Sequence, residues 1–413
     1  MKTTFAPLLL AATLLGGAGD REKEIARWRE DLAFLAKELP ARHKNLFFAQ
    51  PKEEWEAKVA ELDEAIGRLE DDEIVVEFMR LVASVGDGHT AVQFDSVPMA
   101  RKVLPLQVHG FPDGLRVVLA QRELASLLGA RVVAIGGVAI DEAVARVHEA
   151  IAHDNAAALE DLTPPYLESP FVLHGLGLAE SAERATFRFE LADGSQREES
   201  LAAVAQLGVT LPVEAADKPF WRQRNGENYW FCADAARGLF YLQYNRCADD
   251  PQKPFAALID ELAAAIEKGP FERLFVDLRG NGGGDSRVIQ PLCRLLLAKK
   301  ALREKGRLFV AIGPRTFSSA MMNAVELRQG FGAVLVGTPT GGKPNAYGEI
   351  LPLTLPDSKL RVTYSTKLFK LVDGDPPSVL PDVEVATTLA DWKSGRDPLL
   401  EAALAWKPET RAK

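Results

Sequence analysis

The sequence predicts a multi-domain α/β protein, because three short apolar segments in its second half alternate with helical ones. The apolar segments are 274–278, 308–313 and 333–337, and a helical segment, 320–329, separates the last two. Strands that alternate with helices form parallel sheets with right-handed crossovers. The loops at the carboxyl ends of such strands meet at one edge of the sheet. We therefore expect the loop that begins at Arg279 and the loop that begins at Pro314 to be neighbours.

The first 19 residues have the pattern of a secretory signal peptide. Lys2 precedes an apolar run, 5–18, and the small residue Gly19 follows it. At about 1.5 Å per helical residue the run is too short for a ~30 Å hydrocarbon core. We expect cleavage near Ala18 or Gly19, export to the periplasm or beyond, and no membrane span in the mature chain.

The overall composition is that of a globular protein with material for two or three domains. The chain has 413 residues, of which 47% are hydrophobic and 26% charged. A formal net charge of -9 argues against tight binding to nucleic acid or to an anionic membrane, since both need a basic surface. The three cysteines show no metal-binding spacing, and no motif implies a cofactor or a metal.

Residues 20–95 predict an N-terminal helical domain of three amphipathic helices. Apolar residues recur at helical spacing in three stretches, and Pro40 closes the first of them. Asp72 is in position to cap the third helix. The stretches carry Ile25, Trp28, Leu32, Leu35 and Leu39, then Trp55, Val59, Leu62, Ile66 and Leu69, then Ile74, Val75, Phe78, Met79 and Val82.

Residues 96–205 change to short strands and predict a second, PDZ-like domain. The expected strands are 103–108, 115–119, 131–135 and 187–191, and Pro164-Pro165 is expected to break the helical stretch 152–178. The segment 128–144 resembles the back half of a PDZ domain, without a recognisable carboxylate-binding loop. Peptide binding by strand addition and a purely packing role are both open.

Residues 206–408 predict a third domain, which opens with an antiparallel pair, 228–232 and 239–245. Its glycine loop, 279–285, lacks both the Gly-Lys-Ser/Thr of a phosphate loop and the glycine spacing of a dinucleotide loop. Glycines let backbone N–H groups approach a ligand, and a serine at a helix start lies at the positive end of the helix dipole. The two loops therefore predict an oxyanion hole beside a nucleophile.

Three motifs in this domain resemble those of one peptidase family. They are Asp277-Leu278-Arg279-Gly280-Asn281-Gly282-Gly283-Gly284, Thr316-Phe317-Ser318-Ser319-Ala320 and Thr340-Gly341-Gly342-Lys343-Pro344-Asn345. In this order they resemble the tricorn and carboxyl-terminal-processing serine peptidases, whose catalytic core is of the Clp protease/crotonase type. The resemblance covers most of the mature chain and is sharp from about residue 229 onward.

A fourth motif, Gly86-Asp87-Gly88-His89-Thr90, follows the predicted third helix. A loop held by rigid elements can expose an imidazole as a general base. The motif also resembles the segment that carries the catalytic histidine in tricorn-like members. We therefore expect His89 to be the base, whereas the other five histidines, His43 among them, have no comparable context.

The resemblance also suggests the remaining site residues. Ser318 aligns with the family's first serine and is expected to be the nucleophile, with backbone N–H groups of Gly283 and Ser319 as the oxyanion hole. Lys343 matches the lysine base of the carboxyl-terminal-processing branch and is the alternative base to His89, although it needs a lowered pKa for that role.

A third group is expected to orient the imidazole. Asp375 matches the place of a glutamate in the tricorn-like branch, and Asp87 is its rival near in sequence. Met321 replaces the acidic residue that the family has three positions after the serine.

The resemblance implies a serine endopeptidase that hydrolyses peptide bonds through an acyl-enzyme on Ser318, with a peptide or protein as its substrate, and the predicted signal peptide implies that it is exported. Two alternatives belong to other classes. One is a non-catalytic protein that binds peptides in the same cleft, which Met321 and the doubt about the base favour. The other is crotonase-type thioester chemistry, which the predicted signal peptide opposes because CoA substrates are cytosolic.

Overall fold

The computed structural model describes residues 9–93, 96–97, 101–213, 218–269 and 272–408. The predicted signal peptide, 1–19, falls largely outside this description, because residues 1–8 are not described and only the helical backbone is described for residues 9–19. Among the described residues, none of the helices combines the length and the apolarity that crossing a membrane requires.

The N-terminal region consists of three helices and a very short strand. They are α1 (Leu9–Arg42), α2 (Lys52–Ala65), α3 (Asp71–Ala83) and β1 (Ala91–Val92). Two predicted details were wrong. Pro40 does not end the first helix, which continues to Arg42. Asp72 is not the cap of α3, because Glu70 and Glu73 form a capping box there, while the Asp72 carboxylate pairs with the His174 ring.

The middle region is a mainly antiparallel sheet with three helices. Its elements are β2 (Leu106–Phe111), β3 (Gly114–Gln121), β4 (Arg131–Ile135), β5 (Val138–Ala139), α4 (Ile140–His148), α5 (Ala156–Leu167), α6 (Pro170–Gly175), β6 (Arg184–Glu190), β7 (Gln196–Ala202) and β8 (Thr210–Pro212). The strands follow the order β2-β3-β4-β6-β7, with β5 beside β4 and β8 beside β3. Pro164-Pro165 does not interrupt the helix as expected, because both prolines lie inside α5, in its last turn.

The C-terminal region contains the remaining elements. They are β9 (Tyr229–Asp234), β10 (Leu239–Tyr244), α7 (Phe255–Lys268), β11 (Arg273–Asp277), α8 (Gln290–Ala298), β12 (Leu308–Ile312), α9 (Ser318–Phe331), β13 (Val334–Gly337), β14 (Asn345–Thr354), β15 (Arg361–Lys370), β16 (Val383–Glu384), α10 (Leu389–Ser394) and α11 (Pro398–Ala405).

A six-stranded sheet in the order β16-β13-β12-β11-β10-β9 organises this region. The pairs from β10 to β16 are parallel and β9 pairs antiparallel with β10, as the alternating pattern predicts. Both faces are covered: Leu274 and Val276 pack in one core with α7 to α9, and Phe275 packs on the opposite face with α11. Burial on both faces explains why these strands are continuously apolar. The α/β fold class predicted from the sequence is confirmed.

The hairpin β14–β15 leaves the C-terminal region and joins the N-terminal helices. Strand β15 pairs antiparallel with β1, which gives a three-stranded sheet β1-β15-β14. Leu353, Leu360 and Val362 of the hairpin are buried in the same core as Leu35 and Phe78 of the helices. The hairpin therefore fixes the position of the chain that precedes β1, which contains His89.

Candidate active site

Ser318 lies where strand β12 has delivered the chain to the carboxyl edge of the sheet and helix α9 begins. Its φ angle is +50°, which is uncommon for a residue with a side chain. The preceding loop is tightly held, because the Thr316 hydroxyl donates to Leu278 O at 2.9 Å and Phe317 N–H donates to Asn281 O at 3.2 Å. Ser318 is therefore a strained residue held on a rigid strand-to-helix turn.

The imidazole of His89 meets that hydroxyl. The distance between His89 Nε2 and Ser318 Oγ is 3.0 Å, although 229 positions separate the two residues. Thr363 of β15 donates to His89 O at 2.8 Å, and the ring stacks on Phe317 with 4.5 Å between centroids. The hairpin thus holds the His89 backbone, the loop before Ser318 holds its ring, and the His89 side chain is only 13% exposed.

The Ser319 hydroxyl binds the glycine loop rather than His89. It donates to Gly284 O at 2.6 Å, and the Ser319 side chain is buried. Of the two adjacent serines, only Ser318 therefore offers its hydroxyl to His89. The backbone N–H of Ser319 has no acceptor among the described residues, as expected in the first turn of a helix.

The glycine loop lies directly against Ser318. A Cβ added to Gly283 would come within 2.8 Å of Ser318 Cβ and 3.1 Å of Ser319 N, and its φ is +109°. The Gly283 N–H, which is expected to be an oxyanion-hole donor, is occupied in this arrangement, because it donates to Asn281 Oδ1 at 2.9 Å. Asn281 is fully buried and its amide nitrogen donates to Tyr244 O, so its Oδ1 faces the loop.

Asp87 forms a buried network beneath His89. Its Oδ1 accepts the His89 backbone N–H at 3.0 Å, and its Oδ2 accepts the Thr90 hydroxyl at 2.6 Å and lies 3.0 Å from His43 Nε2. His43 Nδ1 accepts Asn45 N–H, so Nε2 carries the proton and donates to Asp87. Burial works against ionisation here, but these hydrogen bonds hold the pKa of Asp87 below its usual value.

Asp154, between α4 and α5, is a site residue that the sequence analysis missed. Its Oδ1 accepts Gly88 N–H at 2.7 Å and its Oδ2 accepts Lys343 N–H at 3.3 Å, so one carboxylate joins two loops. Burial raises the pKa of Asp154, the nearby His89 opposes that rise, and Asp87 adds to it. The sequence signal that points to this segment is the next residue, Asn155, because asparagine commonly caps helices. Asn155 caps α5 and also donates to Thr340 O at 3.0 Å.

The predicted Asp375 and Lys343 meet each other rather than the imidazole. Lys343 Nζ donates to Asp375 Oδ2 at 2.8 Å, and the Asp375 side chain is 68% exposed. The expected contact between Asp375 and His89 is therefore absent from this arrangement, because the lysine ammonium holds that carboxylate at the surface. The contribution of Lys343 to this site is its backbone N–H, which donates to Asp154.

Two further observations complete the chemistry of the site. Met321 is buried in the core of the parallel sheet, 4% exposed, so a hydrophobic contact replaces the expected acid. Asp87, His89 and Asp154 are the one described group of three metal-ligating side chains, with ligand atoms within 4.8 Å of one another.

A chamber of about 1200 Å³ opens beside the glycine loop, between the middle region and the parallel sheet. Gly282 and Gly283 form part of its wall. The other walls mix apolar residues such as Phe111 and Trp221 with basic and acidic ones such as Arg246, Glu160 and Glu384. Neither Ser318 nor His89 lines this chamber, which is linked to the serine through Gly283, the residue that packs on Ser318.

The architecture of this chain also occurs in solved structures of other proteins. No protein-family model and no curated protein matches the sequence. Mature CPAF complexed with lactacystin is similar in structure, with a TM-score of 0.61 at 14% identity over 89% of this chain and 95% of that one. The chain shares the fold of CPAF.

A second structure of mature CPAF agrees, with a TM-score of 0.62 at 14% identity over 92% of this chain and 96% of CPAF. Tricorn protease gives a TM-score of 0.45 and the photosystem II D1 C-terminal processing protease 0.41, and both values are too low to establish a shared fold. The resemblance identified from the sequence motifs is thus confirmed at the level of the CPAF fold.

Proposed function

We propose that this protein is a serine peptidase that hydrolyses peptide bonds through an acyl-enzyme on Ser318. The observation that carries the proposal is the 3.0 Å contact between His89 Nε2 and Ser318 Oγ. This distance lies within the range in which a general base takes the proton of a nucleophile. The fold shared with CPAF and the motifs around Gly283 and Lys343 support the same conclusion.

The reaction begins when His89 takes the Ser318 proton and the alkoxide attacks the substrate carbonyl. The Ser319 N–H, which has no acceptor among the described residues, stabilises the oxyanion. Gly283 N–H is the second donor once it leaves Asn281 Oδ1 for the substrate. One such donor is typically worth about 3 kcal/mol of transition-state stabilisation. His89 then protonates the leaving amine, and water releases the acyl group.

A peptide or protein is the substrate that this arrangement favours, since the chamber beside Gly283 is larger than a single side chain requires. Export to the periplasm or beyond is part of the proposal and depends on the signal peptide predicted for residues 1–19. A peptide-binding protein without turnover remains the second candidate, because the Gly283 N–H is engaged by Asn281 in the substrate-free arrangement.

A fluorophosphonate probe tests the proposal. We expect wild type to be labelled and Ser318→Ala to lose all labelling and all peptide hydrolysis while its circular dichroism is unchanged. Lys343→Met should keep labelling within about threefold of wild type, because the Lys343 amine pairs with Asp375. Peptide binding without labelling of wild type would instead establish the non-catalytic binder, and complete loss of labelling in Lys343→Met would make the lysine the base.

A further inference from the structure

The imidazole of His89 has one unsatisfied nitrogen. When Nε2 accepts the Ser318 hydroxyl proton, Nδ1 carries the other proton, and Nδ1 is buried without a hydrogen-bond partner. An unpaired buried donor is costly, and the positive charge that arises on the ring during the reaction raises that cost. A carboxylate next to Nδ1 would satisfy the donor and the charge together.

Two carboxylates are within reach. Asp87 Oδ1 lies 3.8 Å from Nδ1, and an Asp154 oxygen lies within 4.8 Å of ligand atoms of both His89 and Asp87. Two other neighbours of the ring are uncharged: Phe317 stacks on it, and a Cβ built on Gly348 would lie 3.8 Å from Cε1. Asp87 and Asp154 are the carboxylates grouped with His89 among the described residues.

Asp87 is already committed to other donors. The His89 backbone N–H occupies Oδ1, and the Thr90 hydroxyl and His43 Nε2 occupy Oδ2. Asp154 has one donor on each oxygen, and the longer of these hydrogen bonds, 3.3 Å from Lys343 N, is the weaker. Asp154 thus accepts two hydrogen bonds where Asp87 accepts three, and has the greater free acceptor capacity for the unsatisfied His89 Nδ1.

We propose that Asp154 is the positioning residue that orients the His89 imidazole and stabilises its protonated form, in place of the Asp375 that the family resemblance suggested. The inference rests on the proposed function, because it takes His89 as the general base. Asp87 fixes the backbone of the histidine loop, and Asp154 acts on the ring from the segment between α4 and α5. Removal of its charge therefore affects the chemical step more than substrate binding.

The test compares Asp154→Asn, Asp154→Glu and Asp375→Asn with wild type in pH profiles of kcat/KM. Asparagine keeps the shape and an acceptor for Gly88 N–H. We expect Asp154→Asn to lower kcat by about 10²- to 10³-fold with KM within about threefold, and to move the acid limb of the profile to lower pH. Asp154→Glu keeps a carboxylate, so its kcat should lie between those of Asp154→Asn and wild type. An unchanged profile for Asp154→Asn, or a loss that follows Asp375→Asn instead, overturns the inference.

An NMR titration of ring-labelled histidine in the Ser318→Ala background separates this inference from the proposed function. Its readout, the protonation midpoint of the His89 ring, needs no turnover. We expect the midpoint to fall when Asp154→Asn is added, because the imidazolium loses a negative neighbour. Equal midpoints in the two proteins overturn the role of Asp154 even if wild type is an active peptidase. A lower midpoint with Asp154→Asn, together with a wild type that the probe does not label, supports the contact and rejects the peptidase.

Discussion

Gly283 is a position where no side chain fits. A Cβ would lie 2.8 Å from Ser318 Cβ and 3.1 Å from Phe317 O, and its φ of +109° is unfavourable for any other residue. We expect Gly283→Ala to lower kcat/KM at least 100-fold and to destabilise the fold by about 1–3 kcal/mol. Steady-state kinetics and urea unfolding measure the two effects.

Gly282→Ala is the matched control for that substitution. A Cβ at Gly282 meets no atom within 4 Å. We expect its kcat/KM to stay within about fivefold of wild type, since neither a clash nor a positive φ opposes alanine there. Equal losses in the two variants would contradict the close packing of Gly283 on the serine.

Single residues differ in how far the sequence alone could locate them. The motifs around Ser318 and His89 are local and specific, and the two side chains lie 3.0 Å apart as the hypothesis requires. Asp154 has no motif, because its role comes from hydrogen bonds to Gly88 and Lys343, which are remote in sequence. Asp375 was suggested by the family resemblance, which contains no information about its ion pair with Lys343.

At the scale of elements, Glu168 joins the end of α5 to strand β2. Its Oε1 accepts Val108 N–H at 2.9 Å, and burial raises the pKa of Glu168 to about 7. A carboxyl whose pKa is higher in the folded than in the unfolded state favours folding while it is protonated. The free energy of unfolding therefore falls as pH rises from the ordinary carboxyl range through about 7.

Glu168→Gln should remove that dependence, since the amide oxygen can still accept Val108 N–H and carries no charge. We expect the variant to exceed wild type in stability by about 2 kcal/mol at pH 8 and by much less at pH 5. Urea unfolding at the two pH values measures the difference. The same stability gain at both pH values would mean that ionisation of Glu168 is not its source.

Elements with strong periodicity were predictable, and those defined by remote partners were not. The parallel strands β11, β12 and β13 and the three N-terminal helices follow local apolar patterns. Strand β1 is two residues long and exists because it pairs with β15, Ala91 with Thr363 and Val92 with Val362. A local pattern cannot predict such a pairing.

At the scale of the whole molecule, the hairpin couples stability to the geometry of the site. Val362 is fully buried among the N-terminal helices, and the next residue, Thr363, donates to His89 O. We expect Val362→Ala to destabilise the protein by about 2 kcal/mol, from lost burial and a small cavity, and to lower kcat by displacing the histidine loop.

Thermal unfolding and kinetics on the same preparation test this coupling. Lys370→Ala, at an exposed position of the same strand, is the control and should change neither quantity. A Val362→Ala protein that is less stable but has unaltered kcat at a temperature where it is folded would show that the hairpin does not position His89.

The parallel sheet could be predicted because its strands β10 to β13 follow one another in the chain. The way the regions interlock could not, since the hairpin is contiguous in sequence with the sheet but packs with the helices. The boundary predicted near residue 206 remains a prediction for the same reason.

This interlocking has a practical consequence for anyone who wishes to express the C-terminal region alone. A recombinant fragment cut at residue 206 would retain the hairpin but lose the helices that cover Leu353, Leu360 and Val362. Such a fragment would present bare apolar residues to water and would be prone to aggregate. Its serine would also lack the histidine, so reconstitution would require co-expression of the missing front segment.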